Sequence, residues 1–137
     1  MSDSVFDITT LNTSAAANKG VTITIRHPES NAKLPLKVTI LGADSDKYRR
    51  VADASLNEVF KQIAKTGKTL RTAEDVREER INAVCDCITG WEAFGNGEAS
   101  LECTPENKKA VFENPGYGWM LDQVDAGIRD RANFLPK

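Results

Sequence analysis

Apolar residues recur along this chain with two different periods. Val21-Thr22-Ile23-Thr24-Ile25 and Leu36-Lys37-Val38-Thr39-Ile40 alternate in steps of two and are rich in β-branched residues, which predicts two strands. The stretch between them, Arg26 to Pro35, holds Pro28, Ser30, Asn31 and Pro35 and predicts a long hairpin connection rather than a two-residue turn. Val21, Ile23 and Ile25 then share a buried face with Leu36, Val38 and Ile40, while Thr22, Thr24, Lys37 and Thr39 face outward. A lone hairpin is marginal in water, so its apolar face must pack on helices.

Beyond the hairpin the spacing changes to threes and fours. Asp44-Ser45-Asp46 supplies a cap and early negative charge for a helix running to about Thr66, where Gly67 ends it. Its predicted buried stripe is Tyr48, Val51, Ala52, Leu56, Val59, Phe60 and Ile63. Thr72 with Asp75 forms a capping box for a second helix, with Ala73, Val76, Ile81, Val84 and Ile88 inward and Gly90 as its stop. Thr104 caps a short third helix with Pro105 at its first position, and Asn114-Pro115-Gly116 breaks it, with Gly116 expected at positive φ. A fourth helix, about Tyr117 to Ala132, turns Met120, Leu121, Val124 and Ile128 inward. Residues 12–19 are small and polar and read as the end of a flexible N-terminal arm, residues 1–19. The expectation is an α+β, mostly helical single domain with an N-terminal β-hairpin, spanning residues 20–137.

Composition narrows the function. With 18 Lys plus Arg against 20 Asp plus Glu, the chain lacks the positive field that drives nucleic-acid binding. No apolar run approaches the ~20 residues that span a bilayer, and Met1 to Leu11 has no basic or apolar segment of a secretory signal. Three cysteines, Cys85, Cys87 and Cys103, do not make a disulfide framework and are expected as small apolar fillers that bind no metal. The single histidine, His27, lies beside Pro28 at a strand end and reads as a turn residue. Gly95-Asn96-Gly97 lacks the third glycine and the strand–turn–helix setting of a dinucleotide loop, and Gly67-Lys68-Thr69 lacks the upstream glycine of a phosphate loop. The charged run Glu74 to Arg80 reads as a solvated helix face, and Lys47, Arg49 and Arg50 are answered by Asp44, Asp46 and Asp53. None of this composes a catalytic or cofactor site, so no enzyme is expected.

The C-terminal third is more distinctive. It reads Trp91, Gly95-Asn96-Gly97, Cys103-Thr104-Pro105-Glu106-Asn107, Phe112-Glu113-Asn114-Pro115-Gly116, Trp119-Met120-Leu121-Asp122-Gln123-Val124 and Asp130-Arg131-Ala132-Asn133-Phe134-Leu135. Over about residues 20–135, with Arg26-His27-Pro28 and Gly42-Ala43-Asp44-Ser45, this resembles the tail assembly chaperones of lambdoid long-tailed bacteriophages. The resemblance implies a morphogenesis factor acting in the host cytoplasm and absent from the finished virion. Such a protein binds and solubilises the tape measure protein, helps recruit tail tube subunits and self-associates into rings or spirals. It implies no cofactor, no nucleic-acid partner and no membrane. In many members of that family a longer frameshifted product is also made; codons for Leu135-Pro136-Lys137 can carry a slippery run, while a chance Leu-Pro-Lys ending is the plainer reading of the protein sequence.

A client of that kind exposes apolar helical stripes, so its chaperone needs an aromatic groove with a polar rim. Trp91, Phe94, Phe112, Tyr117, Trp119 and Phe134 are the candidate protein-binding residues, each weighed against a place in the core. The open edges of the hairpin offer a route to self-association. A minor tail or head–tail completion protein retained in the virion is the alternative, and a small enzyme with an acidic site a more remote one.

Overall fold

The computed structural model describes residues 4–68 and 71–136; the first three residues of the arm, Thr69, Leu70 and Lys137 lie outside them. Strands β1, Val21–Arg26, and β2, Lys33–Ile40, form the expected antiparallel hairpin, with Val21 opposite Ile40 and Ile23 opposite Val38. Ile25, Val38 and Ile40 are buried, and on the other face the Thr22 and Thr39 hydroxyls meet at 2.9 Å. The connection is shorter than predicted because both strands run on into it. His27 closes it: its N–H donates to the Ala32 carbonyl, and its Nδ1 accepts from the Glu29 and Ser30 N–H groups at 3.1 and 3.3 Å.

A third strand, β3 (Ile88–Glu92), pairs with Lys37–Ile40 and makes β2 the centre of the sheet. It corrects the expectation that the helix before it runs through Ile88 to Gly90. The chain passes from helix to strand without a loop, so Gly90 stands inside a strand instead of ending a helix. Pro35 lies in β2 before the pairing with β3 begins, where its missing N–H leaves no gap in that ladder.

Among the described residues, five α-helices accompany the sheet: α1 (Ser14–Lys19), α2 (Asp46–Thr66), α3 (Ala73–Cys87), α4 (Pro105–Phe112) and α5 (Gly118–Arg129). The capping signals act as read. Ser45 accepts from the Tyr48 N–H, Thr72 and Asp75 close a capping box, Thr104 accepts from the Asn107 N–H, and Gly67 takes the left-handed conformation at φ 76°. Gly116 does not: it sits in a 3-10 turn, Pro115–Tyr117, held by the Asn114 side chain, and its φ is not positive. The fourth predicted helix divides into α5 and a final 3-10 turn, Arg131–Phe134. Among the described residues, no helix is long and apolar enough to cross a membrane.

Helix α5 lies across the sheet and buries Met120, Leu121, Val124 and Ile128, as its spacing predicts. The approach is close at Gly127, where a Cβ would stand 3.0 Å from Ile23 Cδ1 and 3.2 Å from Ile40 Cδ1. Helix α3 adds Ile81, Val84, Cys85 and Cys87 to the same core. The small polar stretch 12–19 departs from the expected arm: it carries α1, with Ala17 fully buried and its carbonyl accepting from the Gly42 N–H at 3.0 Å. Asp44 ties this end to the other terminus. Its carboxylate accepts from the Thr13 hydroxyl and, at 2.9 and 3.0 Å, from the Arg131 guanidinium. Asp44 therefore serves chiefly Arg131, and Arg49 at the start of α2 adds a smaller attraction.

Helix α2 is the largest departure. No residue on it is buried, and Leu56, Phe60 and Ile63 are 51%, 57% and 43% exposed. Tyr48, Val51 and Val59 are half-buried toward α3, whose Val76 is itself 54% exposed. The stripe is amphipathic as read, but one chain supplies only part of its cover.

Two outcomes are expected. Gly127→Val forces α5 off Ile23 and Ile40 and costs about 1–3 kcal/mol in urea unfolding, as overpacking does elsewhere. The second concerns Asp44, whose carboxyl is held below the usual range chiefly by the Arg131 hydrogen bonds and then by Thr13. A depressed folded pKa stabilises above the unfolded carboxylate value near ~4 and ceases to do so as pH falls through the folded value. The stability gap between the native chain and Asp44→Asn is open near neutral pH and closes on acidification, which denaturant midpoints across a pH series measure.

Candidate functional site

Of the six aromatic residues proposed for binding, the fold withdraws two into its core. Phe112 is 2% exposed and Phe134 is 1% exposed, the latter at the opposite end beside Ala17 and Gly42. Trp91 is half-buried on β3. It stacks on Phe94 with ring centroids 4.3 Å apart and donates from Nε1 to the Leu101 carbonyl at 2.9 Å. Trp91 thus braces the loop after β3.

Phe94, Tyr117 and Trp119 do come together. They line an open apolar pocket of about 520 Å³. Its walls come from the hairpin end (Leu34, Leu36), the loop after β3 (Phe94, Leu101), α4 (Val111) and the start of α5 (Trp119, Met120). Phe94 and Met120 are buried and form its base, whereas Tyr117 is 42% exposed at the rim. The sequence places Leu36 in a strand and Leu34 in the connection before it; the structure sets both on β2. Their alternation was legible, but the site arises because the β2 face extends past α5 and leaves its far end uncovered.

The pocket is held by polar contacts around it rather than within it. Gln123 on α5 accepts from the Arg26 N–H and donates to the Arg26 carbonyl, both at 2.8 Å, as a neighbouring strand would. Asn96 Oδ1 accepts from the Glu98 and Ala99 N–H groups, and Asn107 donates to the Glu102 carbonyl. The rim amides are engaged in shaping the loop, so the interior offers contact area and ring faces. Lys108 adds a further tie: its ammonium donates to the Cys85 and Ile88 carbonyls at 3.0 and 2.9 Å, where α3 passes into β3. A cation there satisfies the carbonyls of a helix C-terminus and suits its dipole.

A second cleft, about 670 Å³, opens between α2 and α3, with Val51, Leu56 and Val76 against Arg71, Glu79 and Arg80. Its cations have local partners. Arg71 pairs with Glu79, Arg80 with Asp122 and Asp125, and Arg129 with Asp125. The run Glu74 to Arg80 is thus partly engaged by α5 and Arg71, not wholly a solvated face.

Among the described residues no group of three or more His, Cys, Asp or Glu is gathered to hold a metal. Cys85 and Cys87 are buried, and burial pushes both thiols up to about 11, with the neighbouring Asp86 charge adding to it. Cys103 is half-buried and also raised, chiefly by burial. The thiolate is the reactive form. At mildly alkaline pH a disulfide reagent therefore modifies Cys103 ahead of Cys85 and Cys87, which react only on unfolding; peptide mapping of a timed reaction gives the order. Comparison of the chain with protein-family models, with curated proteins and with solved structures found no match.

Proposed function

We propose that this chain is a tail assembly chaperone of the long-tailed phage type, and that the aromatic pocket is where it holds its client. The reading joins the sequence resemblance to one observation: an uncovered apolar pocket with ring-lined walls and a polar rim. Its volume falls within the ~300–1,000 Å³ typical of ligand and anchor pockets. An amphipathic helix presents apolar side chains at three- and four-residue intervals, and such a pocket takes one or two of them as anchors. Covering those anchors keeps a long helical chain from aggregating until another surface replaces the chaperone. The partners are the tape measure protein, the tail tube protein and further copies of the chaperone. The site of action is the host cytoplasm, and the finished virion does not retain the protein.

Nothing in this task requires a covalent step. The pocket binds by area, so contacts are broken as readily as they are made when tube subunits close over the client. Trp119 and Tyr117 carry most of the binding, since large rings at a part-covered rim gain most from desolvation.

Co-expression with the tape measure protein tests this. The native chain keeps the tape measure protein in the soluble fraction and co-purifies with it. Trp119→Ala, with an unchanged circular dichroism spectrum, weakens that complex by about thirtyfold or more, the scale of a binding hot spot. An insoluble tape measure protein beside a well-folded native chain overturns the proposal.

A further inference from the structure

We propose that the segment held by the aromatic pocket is a basic amphipathic helix, its apolar anchors flanked by lysine or arginine about two turns apart. The inference rests on the reading of the pocket above and gives the client a chemistry. The pocket opens beside α4, where Ala110 is exposed and lines it. Glu106 and Glu113 lie four residues before and three residues after Ala110, so the three share one side of that helix. Glu113 keeps helical dihedrals at the C-cap. At 1.5 Å per residue the two carboxylates stand about 10 Å apart along the axis, on either side of Ala110. Glu98 and Glu102 belong to the loop that brings Phe94 and Leu101 into the next wall, and all four acidic side chains are exposed.

Charge selects this partner. Between Glu92 and Asp122 the only basic residues are Lys108 and Lys109. Both reach away from the pocket, Lys108 to the Cys85 and Ile88 carbonyls and Lys109 to Glu78 at 3.9 Å. Among the described residues, Glu98, Glu102, Glu106 and Glu113 take part in no ion pair. On the hairpin side, Lys33 and Lys37 alternate with Leu34 and Leu36 and so stand on the opposite face of the sheet. Arg26 is the ladder partner of Lys33 and directs its guanidinium to the Asn31 carbonyl. His27 turns its Nδ1 to the N–H groups of its own turn. Glu106 suits the start of α4, but a carboxylate at a helix C-terminus opposes the dipole, so Glu113 does not stabilise α4. A client helix laid along α4 with its anchors in the pocket sets its flank against these carboxylates. A basic flank is attracted there and an acidic one repelled.

Two synthetic helical peptides test this, with one leucine and tryptophan stripe in common and with flanks of either lysine or glutamate. Their binding to the full chain is read by fluorescence anisotropy. The lysine peptide binds at least about tenfold more tightly than the glutamate peptide at low salt, and the ratio falls as added salt screens the rim. Glu98→Gln, Glu102→Gln, Glu106→Gln and Glu113→Gln together bring the two affinities to within about threefold of each other. Asp53→Asn, Glu58→Gln, Glu74→Gln and Glu92→Gln together remove the same charge away from the pocket and leave the native ratio, which a response to net charge alone does not produce. All eight side chains are exposed, so both sets keep the native melting curve. Equal binding of the two peptides, tighter binding of the glutamate peptide, or a preference that survives loss of the rim carboxylates overturns the proposal and leaves the pocket reading standing. Binding of neither peptide, or binding of both that is indifferent to Trp119→Ala, overturns the pocket reading and this proposal with it. Failure on charge and failure of the pocket are therefore separate results.

Discussion

The contact of α5 with the hairpin organises the molecule. Val124 and Ile128 meet a sheet face made of Ile25, Val38 and Ile40, and the bare backbone at Gly127 sets the distance between the layers. A two-stranded hairpin has no stability of its own, and a 12-residue helix is short for independent existence in water. Each is formed because the other covers it. The rest is arranged around that contact: β3 widens the sheet, α3 closes one flank, and α1 with the last 3-10 turn seals the end at Phe134. The pocket exists because α5 is too short to cover the far end of β2.

What could be read in the sequence was what is decided locally. Ser45, Thr72, Thr104 and Gly67 act through hydrogen bonds and backbone conformation within a few residues, and each does in the fold what its position indicated. The register of the hairpin was equally legible, since a slip by one residue would turn Val38 and Ile40 to the solvent. Elements whose existence depends on distant partners were not legible. β3 contains a glycine and follows a helix directly, so only its ladder with Lys37–Ile40 makes it a strand. The Ala-rich α1 is too short to persist by propensity and is a helix because Ala17 packs against the bare backbone of Gly42.

The candidate site divides in the same way. Ring residues cluster in the last third of the sequence, but sequence cannot say which of them face inward. Phe112 and Phe134 end elements that turn into the core, whereas Tyr117 and Trp119 begin one that emerges from it. Periodicity likewise reveals that a helix has an apolar face without naming what covers it. The α2 stripe reads as core in the sequence because amphipathic spacing serves an internal neighbour and an external one alike.

Helix α2 has a further consequence, for the dynamics of the chain. Its side chains are nowhere fully buried, and it is held by the Ser45 cap, by the Asn18 side chain at the Asp46 N–H and by a half-covered seam with α3. Stability in a folded protein is distributed unevenly, and the segments with least buried area open first. The amide hydrogens of α2 are therefore set to exchange by local opening, at a free energy below that of the layered core. Whatever covers this helix also closes the most accessible route by which the chain comes apart.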